Sequence, residues 1–303
     1  SDCRIGLSPD RFILSYCDRA LGVTSAEEQP VLPKGNNLSL HLLELFTSRV
    51  AKVGMTDGIR QVLQEESDAL RAYYEQAGIL IARPAGGTSC RLAISAKGGT
   101  NAENHNHNDV GSYAVALGSE TMVGDQGGPN SYPGDYFNGD APQKYKIKGS
   151  FGHPVPVVDG RTQSSGGKAK GVVLQKEFTN EKDVFSIDYT SAYSTPNLDK
   201  LIRTFVYDRQ GKGSFTVGDE FTAKTPIRFE TAITTRADWK ILDDTHLLLA
   251  TDSEQMIVAI EASGKVAFTS ETIEVNSPAY TRIGIALKNQ SKEGYIRLKM
   301  YTK

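Results

Sequence analysis

Two hydrophobic rhythms divide the chain. In the first quarter, apolar residues recur at Leu38, Leu42, Leu45, Phe46, Val50 and Val53, the i, i+3/i+4 spacing of an amphipathic helix, and Gly54 is its natural stop. A shorter helix is predicted before it, with Ser8 as N-cap, Pro9 in the first turn and Gly22 closing the run at Leu21. A third stripe carries Ile59, Val62, Leu63, Leu70 and Tyr73. The stretch 27–37, with two prolines and a glycine, connects the first two helices.

Past Gln76 the pattern shortens to β-rich runs at 78–83, 112–117, 155–158, 184–189, 201–207, 214–217, 227–234, 256–260 and 295–301, divided by Gly, Asn, Asp and Ser. Strands at such short spacing, with no helix-period segment between them, predict antiparallel sheets packed face to face rather than a parallel α/β sheet. The expected fold is therefore mainly β: a helical segment over 1–76 and a large antiparallel β-sandwich over 77–303. Three small helices close no core of their own, so they either pack on the sandwich or end a larger helical domain.

Composition narrows the function. The 303 residues carry 34 basic and 36 acidic side chains, a net charge of −2, which gives no global cationic field and argues against a dedicated nucleic-acid binder. No apolar run approaches the ~20 residues that span a bilayer as a helix, so a membrane is not an expected partner. The chain begins at Ser1 rather than Met, as a processed protein or a piece of a longer one would. Cys3, Cys17 and Cys90 have neither CxxC spacing nor even number, and form no disulfide framework or metal ribbon. At most Cys3 and Cys17 pair locally.

The five histidines carry the chemistry. His105 and His107 lie in Asn104-His105-Asn106-His107-Asn108-Asp109, and on an extended backbone i and i+2 side chains share one face. Asp125 follows in VGDQGG and His153 in FGHP, both beside glycines that let backbone approach closely. Two imidazoles and a carboxylate are an ordinary zinc set. His41 and His246 read as surface or hydrogen-bonded residues. HxHxD also opens the metal motif of metallo-β-lactamase-like hydrolases, but that family needs a further His directly after the Asp, where this chain has Val110. It also alternates strands with helices, which this β-rich run does not.

The order HNHND, a strand SYAVALG, a GDQGG turn, a tyrosine-rich loop and FGHPVPVVDG resembles the C-terminal region of heparinase II/III-type polysaccharide lyases, a group related to certain alginate lyases. Downstream, LIRTFVY resembles the Arg-Thr strand of the same region, and the resemblance covers roughly 77–300. It implies an α/α toroid joined to a β-sandwich, with the polysaccharide in the cleft between them and the helices of 1–76 as the end of the toroid. It further implies that His107, Asp125 and His153 bind a structural metal, usually Zn2+, and that His105 faces the substrate. In some alginate-type members a tyrosine after the Asp serves as base and acid, a role that falls here to Tyr136, then Tyr132, then Tyr145. Two departures stand out. Pro154 replaces the Asn that commonly follows the later His, and a quarter of the chain is too little for a whole toroid, which normally supplies the group that neutralises the substrate carboxylate.

A uronate lyase removes the proton at C5, α to a carboxylate, and expels the 4-linked sugar. That needs a stabilised enolate, a base within ~3 Å of the proton and an acid at the leaving oxygen. His105 suits the base or the carboxylate partner, and Tyr136 the acid. Lys144, Lys146 and Lys148 would share one face if their segment is a strand, either as a guarded edge or as a rail for an anionic glycan. Arg203 reads as a packing or ion-pair residue. The expectation is a polysaccharide lyase, or the C-terminal part of one, acting by β-elimination on an anionic poly- or oligosaccharide. The alternatives are a non-catalytic carbohydrate-binding sandwich and, third, a metal-dependent hydrolase. The resemblance implies a periplasmic or secreted location and leaves a homodimer open.

Overall fold

The computed structural model describes residues 70–103, 105–125, 127–129, 131–274 and 279–303. The helices predicted before Leu70, with Cys3, Cys17 and His41, lie outside them. The first strands are β1 (Arg71–Tyr74), β2 (Ile79–Ala82), β3 (Leu92–Lys97), β4 (Thr100–Asn101), β5 (Tyr113–Leu117) and β6 (Glu120–Val123). A short helix α1 (Ala141–Lys144) follows, then β7 (Val157–Val158), β8 (Gly166–Lys170), β9 (Val172–Phe178), β10 (Lys182–Asp188), β11 (Leu198–Asp208) and β12 (Ser214–Ile227). The chain ends through β13 (Phe229–Thr235), β14 (Asp238–Asp243), β15 (His246–Ala250), β16 (Gln255–Ala262), β17 (Val266–Ile273), β18 (Tyr280–Leu287) and β19 (Ser291–Thr302).

These strands form an antiparallel β-sandwich. One sheet runs β1-β2-β3-β5-β6, a second β17-β18-β13-β7, a third β14-β15-β16-β19-β12-β11-β10-β9, and β4 pairs with β8. The first two adjoin through β6 and β13: Gly124 N donates to the Thr234 carbonyl at 3.1 Å, and the Thr234 hydroxyl donates back to the Gly124 carbonyl at 2.6 Å. Together they make the layer that faces the eight-stranded sheet.

Alternation sets the core. Leu92, Ile94 and Ala96 on β3 and Tyr113, Val115 and Leu117 on β5 are buried, while the residues between them are half-exposed. Tyr113 packs on Phe205 and Phe215 of the opposing sheet at ring separations of 6.2 and 5.9 Å, and Phe229 stacks on Phe221 at 4.6 Å. Burial of these apolar faces is the main stabilising term.

A charged side chain crosses this core. Arg203 on β11 is wholly buried, and each of its five N–H donors has an acceptor. Nε and Nη2 form a fork on Asp219 at 2.7 and 2.6 Å, Nη2 also reaches Thr231 Oγ1 at 3.1 Å, and Nη1 donates to the carbonyls of Gly111 and Pro154, both at 2.7 Å. Thr231 and Tyr189 complete the Asp219 carboxylate at 2.7 and 2.6 Å. The ion-pair reading of Arg203 stands.

Two expectations are corrected here. The helical segment was expected to reach residue 76, but residues 71–74 form β1, whose backbone is claimed by β2 in register from Arg71↔Ala82 to Tyr74↔Ile79. Lys144, Lys146 and Lys148 do not alternate on a strand: Lys144 ends α1, and successive turns follow it. Pro142 at the start of α1 favours that helical turn. Lys144 and Lys146 bind Asp135 and Glu271, and Lys148 is buried.

Candidate functional site

The HNHND segment lies between β4 and β5, and its asparagines and aspartate anchor it. Asn108 N donates to the Lys148 carbonyl at 2.9 Å, and its amide reaches Ser165 Oγ at 3.0 Å. Asp109 N donates to Asn101 Oδ1 at 3.0 Å, and the Asp109 carboxylate pairs with Lys97. The amide of Gln163 clasps the next residue from both sides, accepting from Val110 N at 3.1 Å and donating to the Val110 carbonyl at 2.7 Å. Gly111 then turns at φ +87°, where a Cβ would stand 3.3 Å from the Tyr189 ring. Its carbonyl is one of the two that Arg203 holds.

His105 and His107 are not the extended pair the spacing predicts. His105 sits at φ +54° and is exposed, whereas His107 is 1% exposed. The turn at His105 breaks the period of two, yet both histidines line one cleft.

Asp125 follows β6, and its Oδ1 accepts from Gly127 N at 2.9 Å. His153 follows a single 3-10 turn, Ser150–Gly152, packed so tightly that a Cβ on Gly152 would stand 2.2 Å from the Lys146 carbonyl oxygen. The His153 Nε2 lies 3.1 Å from the Ile147 carbonyl, which makes that nitrogen the protonated donor. Its Nδ1 is buried without a hydrogen-bond partner and lies 3.7 Å from Asp125 Oδ1.

One donor atom from each of His107, Asp125 and His153 falls within 4.8 Å of the other two. The rings of His107 and His153 are 5.2 Å apart. Burial pushes the His153 imidazole down to about 4, against the attraction of Asp125 and Asp109. Burial works the other way on Asp125, yet its carboxyl is held well below the usual range, with the attraction of His153 and His107 among the causes. A neutral imidazole with a buried, unpartnered Nδ1 beside an ionised carboxylate is the protonation state of a cation ligand set. These residues fit a divalent ion of the zinc class, and Asp109, committed to Lys97, is not among them.

The tyrosines separate into different roles. Tyr136, expected to be the catalytic acid, is 0% exposed, and its hydroxyl lies 3.2 Å from His107 Nε2. It therefore packs at the Nε2 side of the His107 ring, whose other nitrogen, Nδ1, is also buried. The first choice for a substrate tyrosine is thus a buried one, packed against Tyr132, Phe137 and Tyr145. Tyr145, the third choice, hydrogen-bonds Asp135. Tyr132, the second choice, is half-exposed and lines the cleft with His105.

That cleft has a volume of about 760 Å³. Its floor is the half-exposed face of the first sheet, small at Ser95 and Ala114, and its wall is formed by His105, His107, Asp125 and Tyr132. His246, as expected, is a surface residue bonded to Asp243 and Thr245. Sequence reasoning missed Gln163, Phe137 and the burial of Lys148. Gln163 carries no periodic or motif signal, and the other two depend on how the loop between Asp125 and His153 folds.

No family model matches the sequence, and no curated protein matches it. Solved structures do. The heparan sulfate lyase HepC from Pedobacter heparinus superposes with a TM-score of 0.65 at 14% identity, over 87% of this chain and 42% of that one. A heparinase III product designated BT4657 gives 0.63 at 12%, over 88% and 42%. A further heparinase III gives 0.60 at 18%, over 77% and 36%. The chain spans less than half the length of these neighbours. At such identities the likeness concerns the fold: this chain has a heparinase-like β-sandwich.

Proposed function

We propose that this chain supplies the metal-bearing side of a polysaccharide lyase that cleaves a uronate-containing glycan by β-elimination. The observation that carries the reading is the convergence of His107, Asp125 and His153 at the wall of a cleft that also receives His105 and Tyr132. The heparinase-like fold supports the same substrate class.

In this reading the three ligands hold Zn2+ or a similar divalent ion, which when bound supplies charge and cross-linking to the loops. The chemistry belongs to the side chains in the cleft. The imidazole of His105 takes the proton from C5 of the uronate, the C4–O bond breaks as the C4–C5 double bond forms, and the hydroxyl of Tyr132 gives its proton to the departing oxygen. Tyr136 holds His107 in place and does not meet substrate. Among the described residues lining the cleft, Lys97 is committed to Asp109 and Glu103, so the partner for the substrate carboxylate is assigned to the remainder of the enzyme. The proposed location is the periplasm or outside the cell, where a polymeric glycan is met. No helix among the described residues is long and apolar enough to cross a membrane.

The test is to mix the protein with heparan sulfate, alginate and hyaluronan and follow the ultraviolet absorbance of the unsaturated product. A rise with one of them supports a lyase. Zinc binding and glycan binding without any rise, from a protein that includes the complete helical part, would leave a carbohydrate-binding sandwich in its place.

A further inference from the structure

Phe137 stands apart from the other aromatic residues around the site. It is 53% exposed. Yet it is held in one place. The His105 ring meets it at 5.3 Å, Tyr132 at 5.1 Å and Tyr136 edge-on at 5.4 Å. Lys148 Nζ lies 4.8 Å from its centroid and 4.6 Å from that of Tyr136. Lys148 is itself buried and donates to the Tyr136 carbonyl at 2.6 Å, so its charge is fixed beside both rings.

A braced aromatic face in water contributes little to the core, but its conformational cost of binding has already been met in folding. The apolar C–H face of a pyranose ring is its natural complement, and a cation fixed in poorly hydrated surroundings favours an acidic or sulfated ring. The contacts of Phe137 place this surface directly beside both His105 and Tyr132.

We propose that Phe137, backed by Lys148, is a stacking subsite for an anionic sugar, one ring along the glycan from the unit presented to His105. This inference rests on the glycan reading above and adds to it where and how a neighbouring ring is gripped.

The experiment is calorimetric titration of a heparan sulfate octasaccharide into the full chain and into Phe137→Ala, Phe137→Leu and Phe137→Trp, with thermal unfolding of each. Half-exposed Phe137 predicts little change in melting temperature. The subsite predicts that Ala and Leu weaken binding about tenfold while Trp stays within about threefold of the parent. Leu keeps apolar bulk but not the flat face, so it separates stacking from packing if the Ala variant unfolds. Tight binding by the parent with equal binding by the folded Ala and Leu variants overturns the subsite and leaves the lyase reading intact. The predicted loss, with no unsaturated product from any glycan, sustains the subsite and overturns the lyase reading. No binding by the parent overturns both.

Discussion

The hydroxyl of Tyr136 lies 3.2 Å from Nε2 of His107. The pair gives a buried tyrosine in the loop after Asp125 a place in the proposed metal site: there it would fix the orientation and tautomer of the His107 imidazole. Outer partners of this kind typically set metal affinity within a range of about 10–100-fold. Tyr136→Phe should therefore keep the fold but release zinc about tenfold more readily to a competing chelator. Unchanged affinity would reduce Tyr136 to a packing residue.

Arg203 links this site to the core. Its bonds to the carbonyls of Gly111 and Pro154 join the two loops that carry His107 and His153, and its fork on Asp219 is fully buried. Arg203→Met leaves the Asp219 carboxylate without its counter-charge and should cost about 3–5 kcal/mol in a denaturant melt. Arg203→Lys retains charge but not the five-donor geometry, so a smaller loss of stability with weakened zinc binding is expected. Full stability and zinc binding in both variants would show that the two loops hold themselves.

Alkaline pH should expose another feature of the core. Burial raises the hydroxyl pKa of Tyr113, Tyr189, Tyr193, Tyr207 and Tyr280 above the ordinary value of 10. A raised folded pKa stabilises the fold in full below pH ~10, and that contribution is lost as pH climbs from there towards the folded value. Spectrophotometric titration should show these tyrosines ionising together with loss of near-ultraviolet circular dichroism. Smooth titration of all thirteen tyrosines near pH ~10 in a folded protein would contradict their burial.

For the chemistry, His105→Ala and Tyr132→Phe should each lower the rate of unsaturated-product formation by about 100-fold or more while bound zinc stays constant. Tyr136→Phe should affect the rate only as far as it affects zinc occupancy, a dependence that excess zinc would reverse. A Tyr132→Phe enzyme of full activity would remove Tyr132 as the acid.

Much of the sandwich was legible in sequence because one face of each strand is buried. The runs predicted at 112–117, 201–207 and 295–301 coincide with β5, β11 and β19, where alternation is regular. Strand β9 escaped notice because six of its seven residues are exposed, so no period of two marks it. The grouping of His107, Asp125 and His153 followed from a resemblance, an HxH pair and two positions beside glycines. The division of labour among the tyrosines did not. It depends on the packing of Tyr132, Tyr136, Phe137 and Tyr145 against each other, which no spacing rule encodes.

The site itself is tested most directly by calorimetric titration of zinc into the metal-stripped full chain, alongside His107→Ala and His153→Ala. One tight site per chain in the parent, lost in both variants together with any zinc-dependent rise in melting temperature, is the expected result. A parent chain that binds no zinc or related divalent ion, or variants that bind it as well as the parent, would contradict the joint ligation by His107, Asp125 and His153.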